Sequence, residues 1–391
     1  MVDCSKVAPA AGHAGMVKQA VVLIGHADAR SGGLAQPIPA SLHDVAGRPF
    51  LDYLLDELSR YPTIEEIFLL AGQDTERVAG LYHGKQWRGA SLSVVATSSD
   101  CGSAGALTYA AERLQAHFFL LNGCALFDVN LLDLANHAQA SPAIAQVSLK
   151  PGAHLSPDEI GIYCLDRRIL DYVGKTPCSL ETQVVPRLIE DGQLEATSGR
   201  GFFVDVSNPA GLARARTELS DSLRRPAVFF DRDGVLNVDK DYLYKVEDFE
   251  WMPGAREAIR LCNDLGYYTF VVTNQSGVAR GYYGVDDIHR LHDWMSSDLA
   301  AIGAHIDDFQ YCPYHEEGTV EAYRRVSDRR KPAPGMILDC MKAWPVRIEG
   351  SLLVGDNSRD IEAAVAAGIP GHLFREGDLA AFLRPLLAAG S

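Results

Sequence analysis

The chain has 391 residues, and because single hydrophobic cores stop growing at about 250 to 300 residues, we expect two domains. Its composition, 47% hydrophobic and 22% charged, is that of a globular protein. The formal net charge of -15 argues against a nucleic-acid partner, because proteins that bind the phosphate backbone cluster lysine and arginine.

Residues 1–18 are rich in alanine, glycine and proline and predict a disordered N-terminal segment, not a secretory signal. Eight cysteines occur without a Cys-x-x-Cys pair, which is typical of reduced thiols in the cytoplasm. No run of about 18 apolar residues occurs, as a membrane span would require. The sequence therefore predicts a cytoplasmic protein that does not contact a membrane.

From residue 19, short apolar runs alternate with longer amphipathic stretches, which is typical of β-α repeats around a largely parallel sheet. The candidate strands of this first series are 19–25, 65–71, 92–96, 118–122, 145–149 and 160–165. A charged helical stretch at 209–222 leads to Arg224-Arg225-Pro226, where a second series begins. We therefore place the first domain at residues 19–222 and the second at 226–391.

The second series has candidate strands at 227–231, 268–273, 309–313 and 351–355. The predicted fold class is α/β, with two domains that each contain a mostly parallel Rossmann-like sheet flanked by helices. In open parallel sheets the ligand binds at the carboxyl ends of the strands. Those ends are where catalytic residues are expected.

Polar clusters follow three strands of the second series, and a fourth lies in a later turn. In chain order they read Asp231-Arg232-Asp233-Gly234, Thr273-Asn274-Gln275-Ser276, Arg330-Lys331-Pro332 and Gly355-Asp356-Asn357. Together they supply a carboxylate nucleophile, hydrogen-bond donors, a cation and a second carboxylate for a metal, as phosphoryl transfer needs. A single aspartate after a strand is more often a helix cap or a turn residue, but four clusters in this order favour a catalytic site.

Two carboxylates one residue apart can divide the chemistry of such a site. Asp231 fits the nucleophile that attacks phosphorus, and Asp233 fits the acid that protonates the leaving oxygen and later activates water. Mg²⁺ binds carboxylates, phosphate oxygens and water, and it would neutralise the charge between Asp231, Asp356 and the substrate. We therefore expect a magnesium cofactor.

The order of these motifs, DxD, TNQSG, RKP and GD, resembles that of the haloacid dehalogenase (HAD) superfamily. Within it, Val228 to Phe374 closely resembles the D-glycero-D-manno-heptose 1,7-bisphosphate phosphatases and the related histidinol-phosphate phosphatases. The resemblance implies catalytic roles for Asp231, Asp233, Thr273, Arg330 and Lys331, and metal ligation by Asp231, Asp233 and Asp356. It implies substrate binding by Asp239, Tyr242, Thr273, Asn274, Gln275, Ser276, Arg330, Lys331 and Asn357.

The activity that the resemblance implies is removal of the 7-phosphate from a heptose 1,7-bisphosphate through a phospho-aspartate. The partner is then a small phosphorylated sugar, and the pathway makes nucleotide-activated heptose for surface polysaccharide such as lipopolysaccharide. Histidinol phosphate is the alternative substrate. The related phosphatases commonly hold a structural zinc with Cys-x-His and Cys-x-Cys, whereas this chain has Cys312, Tyr314, Ser327 and Arg329, with His315 one residue out of register. Structural zinc needs four ligands, mostly nitrogen or sulfur, so we expect no zinc.

Residues 19–215 resemble the sugar-1-phosphate nucleotidyltransferases, as in VAGRPFLDYLLDEL from Val45, GSAGALTYAAERL from Gly102 and FVDVSNPAGLARA from Phe203. The functional positions of that family are mostly replaced. The glycine-rich nucleotide loop reads Gly25-His26-Ala27-Asp28-Ala29-Arg30, a lysine position holds Ala40, and a metal-binding aspartate position holds Cys124, while Asp205 remains. We expect a degenerate domain without transferase activity.

A working guanylyltransferase, and hence a bifunctional enzyme, is the alternative for the first domain. The residues 102–106 are either a ligand contact or a structural turn and helix start, and we favour the structural interpretation. Three roles remain open to a degenerate domain: binding of a sugar phosphate, regulation of the phosphatase and formation of a homodimer.

Overall fold

The structure is a computed structural model that describes residues 16–25, 38–72, 74–150, 152, 161–199 and 201–389. Most of the predicted disordered segment, residues 1–15, lies outside these residues. The prediction is wrong for its last three residues, because Val17 is 4% exposed and belongs to a hydrophobic core of the first domain. The first domain thus includes residues before the predicted boundary at residue 19.

The first domain contains twelve strands and seven α-helices among its described residues. The strands are β1 Gln19–Ile24, β2 Asp44–Val45, β3 Arg48–Pro49, β4 Glu66–Ala71, β5 Gln86–Trp87, β6 Ala90–Ala96, β7 His117–Asn122, β8 Ala125–Phe127, β9 Ala145–Leu149, β10 Gly161–Asp166, β11 Leu194–Ser198 and β12 Phe203–Asp205. The helices are α1 Phe50–Leu58, α2 Thr75–Tyr82, α3 Ser103–Leu107, α4 Leu131–Ala140, α5 Val185–Glu190, α6 Pro209–Arg214 and α7 Ser220–Ser222.

Eight of these strands form one sheet in the order β11-β9-β10-β7-β1-β4-β6-β5. The central strands β7, β1, β4 and β6 are parallel, whereas β10 is antiparallel to both of its neighbours and β5 is antiparallel to β6. Strand β1 is buried on both faces, with Val22 in one core and Val21 in the other. Such a strand reads as a continuous apolar run, which is why its sequence is QAVVLI.

The second domain has five strands, β13 Ala227–Phe230, β14 Tyr268–Asn274, β15 Asp308–Cys312, β16 Leu352–Gly355 and β17 Gly371–Leu373. They form an all-parallel sheet in the order β15-β14-β13-β16-β17. The helices are α8 Ala255–Asp264, α9 Val285–Ala300, α10 Gly335–Ala343, α11 Ser358–Ala366 and α12 Leu379–Ala389. Phe229 and Phe230 point into the two cores on opposite faces of the sheet. The predicted α/β class is confirmed.

The two sheets are joined by a buried polar interface. Arg60, which follows α1, donates from Nε to Oδ1 of Asp307 at 2.8 Å, and their side chains are 4% and 0% exposed. Oδ2 of Asp307 accepts the backbone N–H of Thr269 in β14 at 2.7 Å. At the edge of the interface, Arg260 of α8 makes two hydrogen bonds to Asp133 of α4, at 2.6 and 2.8 Å. In the part of the chain that the structure describes, no helix is long and apolar enough to cross a bilayer.

Candidate active site

The carboxyl ends of β13, β14 and β16 meet at one edge of the second sheet, because these strands are parallel neighbours. Asp231 follows β13, Thr273 and Asn274 end β14, and Asp356 follows β16. The backbone N–H of Asp231 donates to the carbonyl of Val354 at 2.9 Å, which fixes the residue against β16. The sheet thus brings together the three strand-end motifs.

Lys331, from the turn before α10, reaches the same edge. Its Nζ lies 2.8 Å from Oδ1 of Asp231 and 2.7 Å from Oδ1 of Asp360, and all three side chains are buried. Asn274 fixes the lysine backbone, accepting its N–H and donating to its carbonyl at 3.0 Å each. Both side-chain groups of Asn274, a predicted substrate residue, are therefore engaged in positioning Lys331.

Asp360 is a site residue that the sequence reasoning missed. It lies in the first turn of α11, where its Oδ2 accepts the backbone N–H of Asn357 at 3.0 Å. The side-chain oxygen of Asn357 in turn accepts from Arg359 at 3.3 Å. This reciprocal pattern is a capping box, and the Asn-x-x-Asp spacing was its signal in the sequence. Asn357, predicted to bind substrate, is engaged as the helix cap.

The carboxylates of Asp231, Asp356 and Asp360 form a compact group, with one oxygen of each within 4.8 Å of the others. Oδ1 of Asp356 is buried and has no hydrogen-bond partner among the described residues. Gly234 makes room for this side chain, since a Cβ at its φ of +83° would lie 2.5 Å from Oδ2 of Asp356. Hard oxygen ligands and an unpartnered buried carboxylate oxygen fit a divalent cation such as Mg²⁺.

Burial sets the electrostatics of this group. It raises the pKa of the Asp231 carboxyl to about 7, a rise that Lys331 opposes and Asp360 reinforces. Burial also raises the pKa of Asp356, again with a contribution from Asp360. Three carboxylates face one lysine, so the group carries an excess of negative charge that a cation would neutralise.

The structure does not place the carboxylate of Asp233 in this group, although it was predicted as a metal ligand. Oδ1 of Asp233 accepts from Asn237 at 3.0 Å, and Nη2 of Arg232 lies 3.0 Å from both carboxylate oxygens. Gln275 donates to Oδ2 at 2.9 Å. The side chain is thus turned towards its own loop and β14. Arg232 and Asn237 are fully buried, and the sequence reasoning assigned a role to neither.

The TNQS segment at the end of β14 is largely engaged within the protein. Thr273 is 1% exposed, and its Oγ1 accepts from Nε2 of Gln275 at 3.0 Å. Gln275 is 2% exposed, and its side-chain nitrogen donates to Thr273 and Asp233. Ser276 is half-buried, and its carbonyl accepts the N–H of Arg280 at 3.0 Å. The segment supplies one buried hydroxyl and a fixed turn at the carboxyl end of β14.

Basic side chains gather around Arg330, the neighbour of Lys331 in the turn before α10. Nη1 of Arg330 lies 3.5 Å from the carbonyl of Tyr314, and Nη2 of Arg280 lies 3.5 Å from Nε2 of His315. Burial lowers the pKa of Arg330, and the positive charges of Arg359 and Arg280 lower it further. Like charges held close together in this way suit a phosphate, which guanidinium groups bind with charge-assisted hydrogen bonds.

The predicted substrate loop lies on the surface. Asp239 accepts the N–H of Asp241 at 3.1 Å. Tyr242 is 43% exposed and packs edge-on against Tyr282, with ring centroids 4.8 Å apart. Asp241 and Tyr242 have φ angles of +48° and +57°, a left-handed conformation that is uncommon outside glycine. The loop is anchored by the carbonyl of Leu243, which accepts from Arg232 at 2.8 Å.

The positions compared with a zinc site have other partners. The Arg325 guanidinium lies 3.8 Å from the centre of the Tyr314 ring. Arg329 donates to Gln310 at 2.5 Å and pairs with Asp339 at 3.0 Å. Cation–π and ionic contacts therefore hold this loop, while the expectation that no zinc binds stays a prediction.

In the first domain, Cys124 and Asp205 lie close together. Burial raises the pKa of the Cys124 thiol well above its usual range, and the charge of Asp205 adds to this. The thiol lies 3.0 Å from Oδ1 of Asn122, and Oδ1 of Asp205 accepts the N–H of Ser207 at 2.8 Å. A thiol held in its protonated form is a poor metal ligand.

The backbone amides at the start of α3 are hydrogen-bonded to another part of the chain. The amides of Ala104 and Gly105 both donate to the carbonyl of Cys178 at 3.0 Å. A Cβ on Gly102, whose φ is +77°, would lie 2.4 Å from the same oxygen. The structural interpretation of residues 102–106 is therefore favoured. The replaced nucleotide loop, from residue 26 onwards, lies outside the described residues.

Comparison with known proteins assigns the second domain to a family. The HAD-hydrolase-like family profile matches residues 328–381. The D-glycero-beta-D-manno-heptose-1,7-bisphosphate 7-phosphatase of Rhodopseudomonas palustris is 52% identical over 164 residues, which are 42% of this chain and 91% of that protein. The chain belongs to the heptose-1,7-bisphosphate 7-phosphatase family. The same-named protein of Escherichia coli K12 is 42% identical over 144 residues, 37% of this chain and 75% of its own. A Burkholderia mallei member, 44% identical over 147 residues, 38% of this chain and 78% of its own, is named for the alpha anomer.

Solved structures resemble each half of the chain separately. The D,D-heptose 1.7-bisphosphate phosphatase of B. bronchiseptica, complexed with magnesium and phosphate, is 32% identical and covers 42% of this chain and 87% of its own, with a TM-score of 0.35. HddC of Yersinia pseudotuberculosis, complexed with GMP-PN, is 16% identical and covers 52% of this chain and 100% of its own, with a TM-score of 0.43.

Proposed function

We propose that the protein is a phosphoric monoester hydrolase that removes the 7-phosphate of D-glycero-D-manno-heptose 1,7-bisphosphate through a phosphorylated Asp231. One observation carries this assignment. Oδ1 of Asp231 is engaged by Lys331 and by the N–H of Arg232 at 2.7 Å, whereas no group of the described residues donates to Oδ2. That oxygen is left to attack phosphorus, beside a second carboxyl group fixed on the same loop.

In the first step, Oδ2 of Asp231 attacks the phosphorus atom and the bond between phosphorus and the sugar oxygen breaks. The electron pair passes to the sugar oxygen, which takes the proton of Asp233. In the second step, the Asp233 carboxylate removes a proton from water, which attacks the phospho-aspartate and releases inorganic phosphate. Both carboxyl groups then return to their starting states.

Asp231, Asp356 and Asp360 are the residues that would hold Mg²⁺. The ion supplies charge neutralisation for the substrate phosphate when bound. Lys331 keeps Oδ1 of Asp231 oriented, and the hydroxyl of Thr273 is the proposed donor to a phosphate oxygen. Arg330 is the proposed phosphate-contacting arginine. Asp239, Tyr242 and Ser276 are proposed substrate contacts at the mouth of the cleft.

A substrate panel tests this function. Purified protein is mixed with the alpha and beta anomers of heptose 1,7-bisphosphate and with histidinol phosphate, and phosphate release is measured with and without Mg²⁺. Asp231→Asn is the blank. We expect Mg²⁺-dependent release from a heptose bisphosphate, with the other compounds at least about 10-fold poorer in kcat/KM, a modest discrimination for one set of binding contacts. Preferential release from histidinol phosphate would overturn the substrate assignment.

For the first domain we propose a non-catalytic role as the structural partner of the phosphatase in the cytoplasm. Its support is the protonated Cys124 and the occupied start of α3. The test is pyrophosphate formation from GTP and heptose 1-phosphate. We expect none, and formation dependent on Asp205 would establish the bifunctional alternative. Gel filtration of the full chain tests whether this domain mediates a homodimer.

A further inference from the structure

Asp233 is connected to a buried tyrosine through one amide side chain. The hydroxyl of Tyr283 donates to Oε1 of Gln275 at 2.6 Å. Nε2 of the same Gln275 donates to Oδ2 of Asp233 at 2.9 Å and to Oγ1 of Thr273 at 3.0 Å. Gln275 and Tyr283 are 2% and 8% exposed, so water has little access to these contacts.

The tyrosine decides which end of the amide faces the acid. An amide group has one accepting oxygen and one donating nitrogen, and a rotation of 180° exchanges them. Tyr283 is the hydrogen-bond partner of Oε1 among the described residues. With Oε1 held there, Nε2 must point towards Asp233. Without it, the amide is free to turn its oxygen towards Asp233, where it would repel the ionised carboxylate or accept the proton that the acid gives to the sugar oxygen.

Tyr283 is itself held in one orientation. Its ring stacks on Tyr244, with centroids 4.9 Å apart and an interplanar angle of 21°. Gly277 leaves the space that the ring fills, because a Cβ there would lie 2.2 Å from a Tyr283 ring carbon. Burial raises the pKa of Tyr283 to about 12, so its hydroxyl keeps its proton at neutral pH and can donate.

We propose that Tyr283 is a positioning residue that acts through Gln275 to hold Asp233 in line with the oxygen of the departing sugar. The inference rests on the proposed function, in which Asp233 gives that oxygen its proton. Arg232 and Asn237 also bind Asp233, but both lie on its own loop, within four residues of it. Gln275 ties the carboxyl group to β14, which carries Thr273.

This role predicts a dependence on the leaving group. A sugar alkoxide needs a proton to depart, whereas p-nitrophenolate is stable without one. The parameter to compare is kcat/KM, because it reports the steps up to departure of the leaving group and leaves out hydrolysis of the phospho-aspartate. A displaced acid should therefore slow the sugar phosphate far more than p-nitrophenyl phosphate.

The experiment uses the full chain with Mg²⁺ and the variants Tyr283→Phe and Tyr244→Phe. Each removes one hydroxyl and keeps the stacked rings, and the hydroxyl of Tyr244 has no hydrogen bond that the described residues provide. We expect Tyr283→Phe to lower kcat/KM about 10-fold for heptose bisphosphate, part of the roughly 10²- to 10⁴-fold that general acid catalysis contributes. For p-nitrophenyl phosphate, Tyr283→Phe should lower kcat/KM less than about 2-fold, because this leaving group does not need the proton. Tyr244→Phe should lower kcat/KM less than about 2-fold for both substrates, because it leaves delivery of the proton unchanged.

Three outcomes would overturn the inference: equal losses on both substrates, which indicate a general packing defect; no loss on either; or the same pattern in Tyr244→Phe. In an Asp233→Asn background, Tyr283→Phe should add no further loss on the sugar phosphate. If the wild type releases phosphate from another alkyl phosphate but not from a heptose bisphosphate, the proposed function fails, and the same comparison is made with that alkyl phosphate. If it hydrolyses none, both fail together.

Discussion

In the interior of the second domain, Lys331 lies between the carboxylates of Asp231 and Asp360. Its positive charge explains how the buried Asp231 can still be ionised and act as a nucleophile. Burial disfavours the ionised form of Asp231, and the positive charge of Lys331, whose Nζ lies 2.8 Å from Oδ1, partly offsets this effect. The lysine is shared with Asp360 at 2.7 Å. Its removal would leave two buried carboxylates without a cation.

Lys331→Met is therefore expected to lower the free energy of unfolding by about 3 kcal/mol, because a buried charge that loses its partner costs about 3 to 5 kcal/mol. Urea unfolding without Mg²⁺ measures this. The control is Lys342→Met, since that side chain is exposed on α10. Equal stability of Lys331→Met and wild type would contradict the arrangement of charges described above.

Loss of the nucleophile should be more severe for activity than for folding. Asp231→Asn keeps the size of the side chain but removes the attacking oxyanion, so turnover should fall at least about 10³-fold, the scale seen when a nucleophile is lost. Phosphate release is the readout, and circular dichroism reports the fold. Activity within about 10-fold of the wild type would contradict the assignment, since Asp231 would then not be needed as the nucleophile.

At this scale the sequence predicted that Asp231 and Asp356 lie at one edge of the sheet, because parallel strand ends meet there. It also predicted that Lys331 reaches this edge from a later turn, as the contact with Asp231 shows. It did not reveal Asp360, whose role depends on the turn of α11 that points it towards Lys331. Nor did it reveal that Asn274 and Gln275 bind protein groups, since side-chain orientation follows from packing across strands. The residue roles themselves remain proposals.

Some strands could be predicted from their own sequence, whereas others depend on contacts with distant parts of the chain. Strand β9 was predicted at its observed bounds. Strands β13 and β14 were predicted to within one residue, because buried parallel strands are largely apolar runs. The short β17 was missed, as it has only three residues, none of them buried. Strands β8 and β12 were missed because they are short and pair with each other across a long stretch of the chain.

The segment just before β15 contains a pH-sensitive pair, His305 and Asp307. Burial would raise the pKa of Asp307, but the charges of Arg60 and His305 prevail and hold it well below its usual range. Burial lowers the pKa of His305. A depressed pKa in the folded state means that the unfolded chain binds protons more readily. The contribution of each group to the stability of the fold is therefore fully present above the pKa that the group has in the unfolded chain, about 6.5 for histidine. This contribution is lost as the pH falls below that pKa.

We expect the urea midpoint of unfolding of the full chain to decrease when the pH is lowered from 8 to 5. The decrease should be smaller in His305→Gln, whose side chain cannot take up the proton. His289→Gln is the matched control, because that ring lies on the exposed face of α9. An unchanged pH dependence in His305→Gln would show that the buried histidine does not contribute.

At the scale of the whole molecule, the interface makes the two domains energetically dependent on each other. Arg60 of the first domain neutralises Asp307, which in turn binds the backbone of Thr269 in the second. The sequence placed the boundary near residue 226 from a change of pattern, but it could not predict this contact, because the two residues are 247 positions apart.

A double-mutant cycle tests that dependence. Arg60→Met should lower the free energy of unfolding by about 3 kcal/mol, because it leaves a buried carboxylate unpaired. Adding Asp307→Asn removes the unpaired charge, so the two changes should couple by about 1 to 3 kcal/mol. Additive losses would mean that the pair does not link the domains.

The most direct test of the central claim is to find the covalent intermediate. The protein is mixed with heptose 1,7-bisphosphate labelled in the 7-phosphate, quenched in acid within one turnover, digested and examined by mass spectrometry. We expect label on the peptide that begins the second domain, at Asp231, and none in Asp231→Asn. Rapid phosphate release with no labelled peptide, or with the label on another residue, would contradict it.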